Sequence, residues 1–280
     1  MSWNPQPGQL YLDVSNAAYH AGPGLSRSGI MRLLRAPAFY RYPDPDEKDT
    51  EAIIFGAAFH DYVLLPGLFK AKYEVLPVDY DGRKKEFKGL KEAIALKGKI
   101  AIKPDWLSDI IGMHKSLMVH PEIKRIMSAG QPEVSGYWED VDTRVLCKLR
   151  LDWLNTSTNE ILDLKSTQDA RLHPFSRQAK EHGYHIQVGH YLSGITTITK
   201  ALHNTFYFAA VEKKAPNYAV KLYRASEWCI QSGRTLAAAG IYLFKDCQDH
   251  DSWPAYGIDV EEIDVVYNPL RGRNTDVMFG

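Results

Sequence analysis

The stretch RVLCKLRLDWLNTSTNEILDLKS, residues 144–166, decides how the chain is read. Two runs rich in leucine, valine and isoleucine flank the polar pentapeptide NTSTN, the composition of two strands joined by a turn. Asp163 and Lys165 are one residue apart, so on a strand they project to one face while Leu162 and Leu164 project to the other. Asp152 closes the preceding strand, and the turn folds it back beside Asp163. Two carboxylates and an ammonium then converge. Oxygen ligands of this kind suit a hard divalent ion such as Mg²⁺, with Mn²⁺ as its substitute, held by one or two carboxylates plus a substrate phosphate. Hydrolysis of a phosphodiester requires an acidified water, neutralised charge on phosphorus and a stabilised leaving oxygen, all of which such an ion supplies. Asp152 and Asp163 would fix it, with the Leu164 carbonyl as a further ligand. Lys165 would orient or deprotonate the water, because a lysine in a cationic, partly desolvated site loses basicity.

Asp-x-Lys alone also describes a surface ion pair, so its neighbours carry the argument. Upstream, VSGYWED after Glu133 is a third antiparallel strand. Downstream, residues 174–202 return to helical periodicity, NTFYFAAVEK and NYAVKLYR read as two strands around Pro216, and a helix runs over 226–247. On the intervening helix Gln187 and Tyr191 are four residues apart and share a face that can close over the same centre.

The N-terminal third looks mainly helical. LSRSGIMRLLRAPAFY has Ser26 as N-cap, Leu25 and Ile30 as a hydrophobic staple, and Pro37 as its close. Residues 41–50, RYPDPDEKDT, alternate proline with acid and read as a linker. EAIIFGAAFHDYVLLP is apolar nearly all round and reads as a buried helix carrying His60 one turn after Gly56. The expected architecture is therefore α/β (α+β): a central mixed sheet flanked by helices, one domain over 1–280. Its 1–125 part is mainly helical and its 126–280 part carries the sheet.

Composition excludes several classes. The 280 residues are 45% hydrophobic with a net charge of zero and a pI near 7.1. No signal sequence or membrane-spanning run is visible, which predicts a soluble protein without a membrane partner. Three scattered cysteines, Cys147, Cys229 and Cys247, fit a reducing cytoplasm and supply neither a zinc site nor an iron–sulfur cluster. His173, His182, His185 and His190 are close in sequence, yet no HExxH motif accompanies them. Neither GLKEAIALKGKI nor AGPGLSRSG completes a nucleotide-binding loop, so ATP is not implied. Attraction to phosphate must be local. Residues 83–103 hold eight lysines and arginines against two glutamates, a net of +6, with Lys84, Lys85 and Lys88 as candidate DNA contacts.

With His60, Glu133, Asp152, Asp163-Leu164-Lys165 and Gln187-x-x-x-Tyr191 in this order, the chain resembles the RecB-like branch of the PD-(D/E)XK nucleases. More narrowly, LSRSGIMRLLRAPAFYRY, FGAAFHDYVLLP, LDLKSTQDA and GYHIQVGHY resemble the RecE family, the nuclease region of exodeoxyribonuclease VIII and its phage relatives. The resemblance spans residues 25–192. It implies a 5′→3′ exonuclease acting on double-stranded DNA ends in a bacterial cytoplasm, encoded by a phage or prophage. Such an enzyme leaves 3′ tails for a RecT-like annealing partner and assembles as a homo-oligomeric ring. It also implies His60 and Asp152 as metal ligands, Asp163 as a bridging ligand, Lys165 as the catalytic lysine, Gln187 and Tyr191 as supports on the phosphate side, and Glu133 as a further acidic ligand. An endonuclease of the same superfamily and a non-catalytic DNA-binding or assembly module are the competing readings.

Overall fold

A computed structural model describes residues 3–44, 50–81, 83–213 and 215–257, together with 260 and 262; part of the linker expected over 41–50 lies outside them. Six strands form the main sheet in the order β1 (Gln9–Tyr11), β4 (Gln131–Glu139), β5 (Leu146–Asn155), β6 (Glu160–Thr167), β7 (Thr205–Glu212), β8 (Val220–Arg224). Neighbours are antiparallel except β6 and β7, so the sheet is mixed as expected. The strand at one edge, β1, falls in the region read as helical. So does the small parallel pair β2 (Tyr73–Val75) and β3 (Ile100–Ile102). Three-residue strands are too short to show a two-residue alternation, and their partners are remote in sequence.

The helices are α1 (Asn16–Ala21), α2 (Arg27–Arg35), α3 (Pro37–Arg41), α4 (Glu51–Leu64), α5 (Pro66–Lys72), α6 (Leu90–Leu96), α7 (Pro104–Val119), α8 (Pro121–Ile126), α9 (Leu172–Glu181), α10 (Tyr184–Thr199) and α11 (Glu227–His250). Ser26 caps α2 by accepting from the Gly29 amide at 3.2 Å. Pro37 does more than close that helix. It stands at the first position of α3, where its missing N–H costs nothing.

The parallel β6–β7 step requires a crossover, which α9 and α10 supply. One apolar cluster therefore lies between the sheet and α2, α10 and α11, and includes Ile161, Leu151 and Leu192. A second lies on the other face under α4 and α7, where Leu162 and Leu164 are fully buried. The alternation along β6 thus sends its leucines into one core and turns Asp163 and Lys165 towards α10. That helix crosses α11 with the backbones in contact: a Cβ on Gly233 would collide with the His185 carbonyl oxygen. Gln187 and Tyr191 are held at a fixed height above the sheet by this crossing.

The turn that joins β5 to β6 is organised by Asn155. Its Oδ1 accepts from the amides of Ser157 (2.9 Å) and Thr158 (3.1 Å), and its amide nitrogen donates to the Ile126 carbonyl at 2.8 Å. The β5–β6 ladder then stops at the pair Trp153–Leu162. Asp152 does not end its strand, contrary to the sequence reading; it sits inside β5, which continues to Asn155 before the turn into β6.

Candidate metal centre

Asp152 occupies a gap in the sheet. On the β6 side its strand has left the ladder, and on the β4 side pairing jumps from Pro132–Trp153 to Val134–Leu151, skipping Glu133 and Asp152. Glu133 has a left-handed φ of 51°, a conformation that costs an L-residue roughly 1–2 kcal/mol. With the strands parted, the Leu164 amide donates to Asp152 Oδ2 at 2.8 Å instead of to a backbone partner. A strand residue directs its N–H and C=O to the same side, so the Leu164 carbonyl faces the gap too.

Into this gap α4 delivers His60, whose Nδ1 is 3.4 Å from Asp152 Oδ2. One ligand atom each from His60, Glu133 and Asp152 lie within 4.8 Å of one another, the one such group of three among the described residues. Asp163 stands beside this trio. Its Oδ1 accepts from Gln187 Nε2 at 2.5 Å, and its Oδ2 meets the Lys165 ammonium in an ion pair but accepts no well-aligned hydrogen bond. Lys165 also lies 4.7 Å from the centre of the Tyr184 ring. Tyr191 is buried one helical turn beyond Gln187, on the same cleft. The cleft holds about 460 Å³ and is walled by Tyr19 and Asn16 from α1, by α4, and by Lys72 from α5.

Electrostatics follow from packing three acids with few cations. Burial pushes the Asp163 carboxyl above its usual value, helped by Asp152, with Lys165 opposing. Burial and Asp152 likewise raise Glu133, against Arg150. For Asp152 burial works against the charge, but His60, Lys165 and the Leu164 amide outweigh it and hold the group below the usual range. Burial also disfavours imidazolium at His60, yet the neighbouring Asp152 pushes its pKa up to about 9. The lysine departs from the sequence reading. Burial disfavours its charge, but Asp163 and Asp152 hold the Lys165 pKa above normal. Its basicity rises, because the cation's neighbours are carboxylates.

The donor set, one imidazole and carboxylate oxygens around a gap, with Asp163 Oδ2 lacking a well-aligned donor, fits a hard divalent cation. A model of the PDDEXK-like domain of unknown function (DUF3799) matches residues 40–267. The chain belongs to this family. No curated protein matches it. Among solved structures, a protein described as a "putative exonuclease" from Eubacterium rectale superposes with a TM-score of 0.56 at 16% identity, over 89% of this chain and 97% of the other. A phage-related exonuclease from Haemophilus somnus 129PT aligns over 62% of this chain and 92% of its own, at 14% identity and a TM-score of 0.34.

In this PDDEXK-like chain the residues expected from sequence fall into two sets. His60, Glu133, Asp152, Asp163, Lys165, Gln187 and Tyr191 all line one cleft. Lys84, Lys85 and Lys88 do not. The positive excess around them is also partly spent, since Arg83 pairs with Asp81, Lys97 and Lys99 with Glu74, and Lys103 with Glu51. The histidines weighed for zinc form no cluster among the described residues: His190 is buried against Trp138 with its Nε2 3.1 Å from the Lys148 carbonyl oxygen. The α4 helix is buried on one side only, and Ile53 is 54% exposed at the mouth of the cleft. Several wall residues escaped the sequence reading, Arg150 and Tyr19 among them. Arg150 precedes Asp152 by two, a strand-face signal that was available. Tyr19 lies on a six-residue helix whose placement nothing local announces.

Proposed function

We propose that this chain is a divalent-metal-dependent deoxyribonuclease, and more narrowly an exonuclease that degrades linear duplex DNA from 5′ ends. The observation that carries the reading is the convergence of His60, Glu133 and Asp152 beside Asp163 and Lys165 in a cleft of a PDDEXK-like domain. Asp152, His60 and Glu133 would hold the ion, with Asp163 Oδ2 and the Leu164 carbonyl as further oxygens. Mg²⁺ bound there supplies charge neutralisation on the phosphate and a water acidified for attack. Lys165, kept protonated by its two carboxylates, binds a phosphate oxygen and orients the attacking water through Nζ. Gln187 fixes Asp163, and so fixes Lys165 with it. Tyr191, buried one turn beyond Gln187, walls the cleft against bulk solvent.

Terminal cleavage, 5′→3′ polarity, 3′ tails for a RecT-like partner, a ring-shaped homo-oligomer and a cytoplasmic phage or prophage setting are supported by the RecE-like motifs. The first of these is supported too by the description of the Eubacterium rectale relative. No helix among the described residues is long and apolar enough to cross a membrane. Linear duplex labelled separately at its 5′ and 3′ ends, incubated with Mg²⁺ and then with chelator, tests the proposal. Early release of the 5′ label that stops on chelation is expected. Rapid loss of covalently closed circles would make the enzyme an endonuclease, and no digestion of any duplex would leave the non-catalytic module.

A further inference from the structure

One cation in the cleft has no place in the metal cluster. Arg150 stands two residues before Asp152 on β5 and on the same face of that strand. Its side chain is only 12% exposed and forms an ion pair through Nε with Glu133 Oε2. Nη1 donates to the Val14 carbonyl at 2.9 Å and to Ser135 Oγ at 3.4 Å, and the guanidinium lies 5.5 Å from the centre of the Tyr19 ring. Contacts from the segment before α1, from α1 and from β4 therefore fix the plane of the group. They occupy Nε and Nη1, while among the described residues no group accepts from the Nη2 amine of Arg150, which lines the cleft.

The other cations of the cleft differ. Lys72 and Lys165 are point charges already set against Asp61 and Asp163. A guanidinium presents five donors in a rigid fork, so one edge can hold an acid while another takes a second anion. Two residues along a strand span about 6.6 Å. That is comparable to the spacing of successive phosphates along one nucleic-acid strand. An anion on Arg150 is thus offset along β5 from the group bound at Asp152.

We infer that Arg150 is a substrate-contact residue that holds a non-scissile backbone phosphate of the polynucleotide, with Glu133 and Tyr19 as its positioning residues. This rests on the nuclease reading and adds to it a role for Glu133. Its carboxylate ties the phosphate-binding arginine to the His60 and Asp152 cluster, so that substrate is registered against the metal.

The test is binding of a blunt duplex by fluorescence anisotropy, with Ca²⁺ in place of Mg²⁺, between 50 and 200 mM KCl. Each phosphate contact contributes about 0.9 to the slope of log affinity against log salt. Arg150→Gln should lower that slope by about one contact, so that the affinity lost over this fourfold salt range shrinks by roughly threefold. Should Arg150→Gln fail to fold because Glu133 is left unpaired, Glu133→Gln is compared with Glu133→Gln/Arg150→Gln, where the pair is removed as a unit. Equal slopes with and without Arg150 overturn the assignment while leaving the nuclease reading intact. A wild-type chain that binds no duplex overturns both.

Discussion

Metal binding at this centre should be tightly linked to pH through His60. Asp152 raises the pKa of the imidazole to about 9 from an ordinary 6.5. A group raised in this way stabilises the metal-free fold fully below pH 6.5 and loses that contribution as pH climbs through 9. The limit is about 3 kcal/mol, at about 1.36 kcal/mol for each tenfold gain in proton affinity. A metal ligand must be neutral imidazole, so the ion displaces this proton and binding strengthens as the fold's own gain is lost. At pH 7, well below the folded pKa of about 9, Mg²⁺ affinity should be about a hundredfold weaker than its plateau at higher pH, or about 2.7 kcal/mol. Calorimetric titration of Mg²⁺ at constant ionic strength from pH 6.5 to 9, in two buffers of different ionisation enthalpy, measures both the affinity and the protons released. About one proton per ion is expected near pH 7.5. In His60→Asn the residual binding should be weaker and nearly independent of pH over the same range. Affinity that is flat from pH 7 to 8.5 in the wild type, or an unchanged slope in His60→Asn, would refute the placement of His60 on the ion.

Lys165→Ala and Asp163→Asn should each cut Mg²⁺-dependent nucleotide release by ~10²-fold or more, Lys165→Ala with a lower melting temperature because it leaves the buried Asp163 unpaired, and release at the wild-type rate by a folded variant would remove the substituted residue from the chemistry. Gln187→Ala frees Asp163 Oδ1 from its 2.5 Å bond, and a drop of about 10–100-fold in metal affinity or in rate is expected, read by calorimetry and single-turnover digestion. Gly233→Ala drives a methyl into the His185 carbonyl oxygen and must push α10 off α11; a loss of ~3 kcal/mol in denaturant unfolding is expected, together with weaker activity. Asn155→Ala strips the β5–β6 turn of three hydrogen bonds and strands the Ile126 carbonyl, for about 2–3 kcal/mol in the same unfolding assay.

What the sequence reveals here depends on how local the cause is. The strands β5 to β8 are legible because each is a run rich in aliphatic, β-branched or aromatic residues, and Asn155 announces its turn by composition. The helical spacing of Gln187 and Tyr191 holds because α10 is regular. By contrast, Glu133 cannot be ranked from sequence, because its value to the site lies in a backbone conformation that glycine or asparagine would signal and glutamate does not. The basicity of Lys165 is misread for a related reason. The turn brings both Asp163 and Asp152 near the lysine, but whether they outweigh its burial depends on distances that only the packed strands fix.

The same logic explains why the centre sits where the sheet is imperfect. A continuous ladder would satisfy the Leu164 amide with backbone and leave the buried Asp152 carboxylate with His60 but without its backbone donor, a cost of ~1–3 kcal/mol. Parting β5 from both neighbours at this point exchanges backbone pairs for bonds to the carboxylate, and it brings Glu133 and the Leu164 carbonyl to the same opening. The Leu164 amide and carbonyl are groups that a regular sheet consumes internally. The irregularity therefore helps create the site: the carbonyl can face a cation only because the strands stop pairing there. The two apolar cores on either side, closed by α4 and by the α10–α11 crossing, keep the parted strands from collapsing back together.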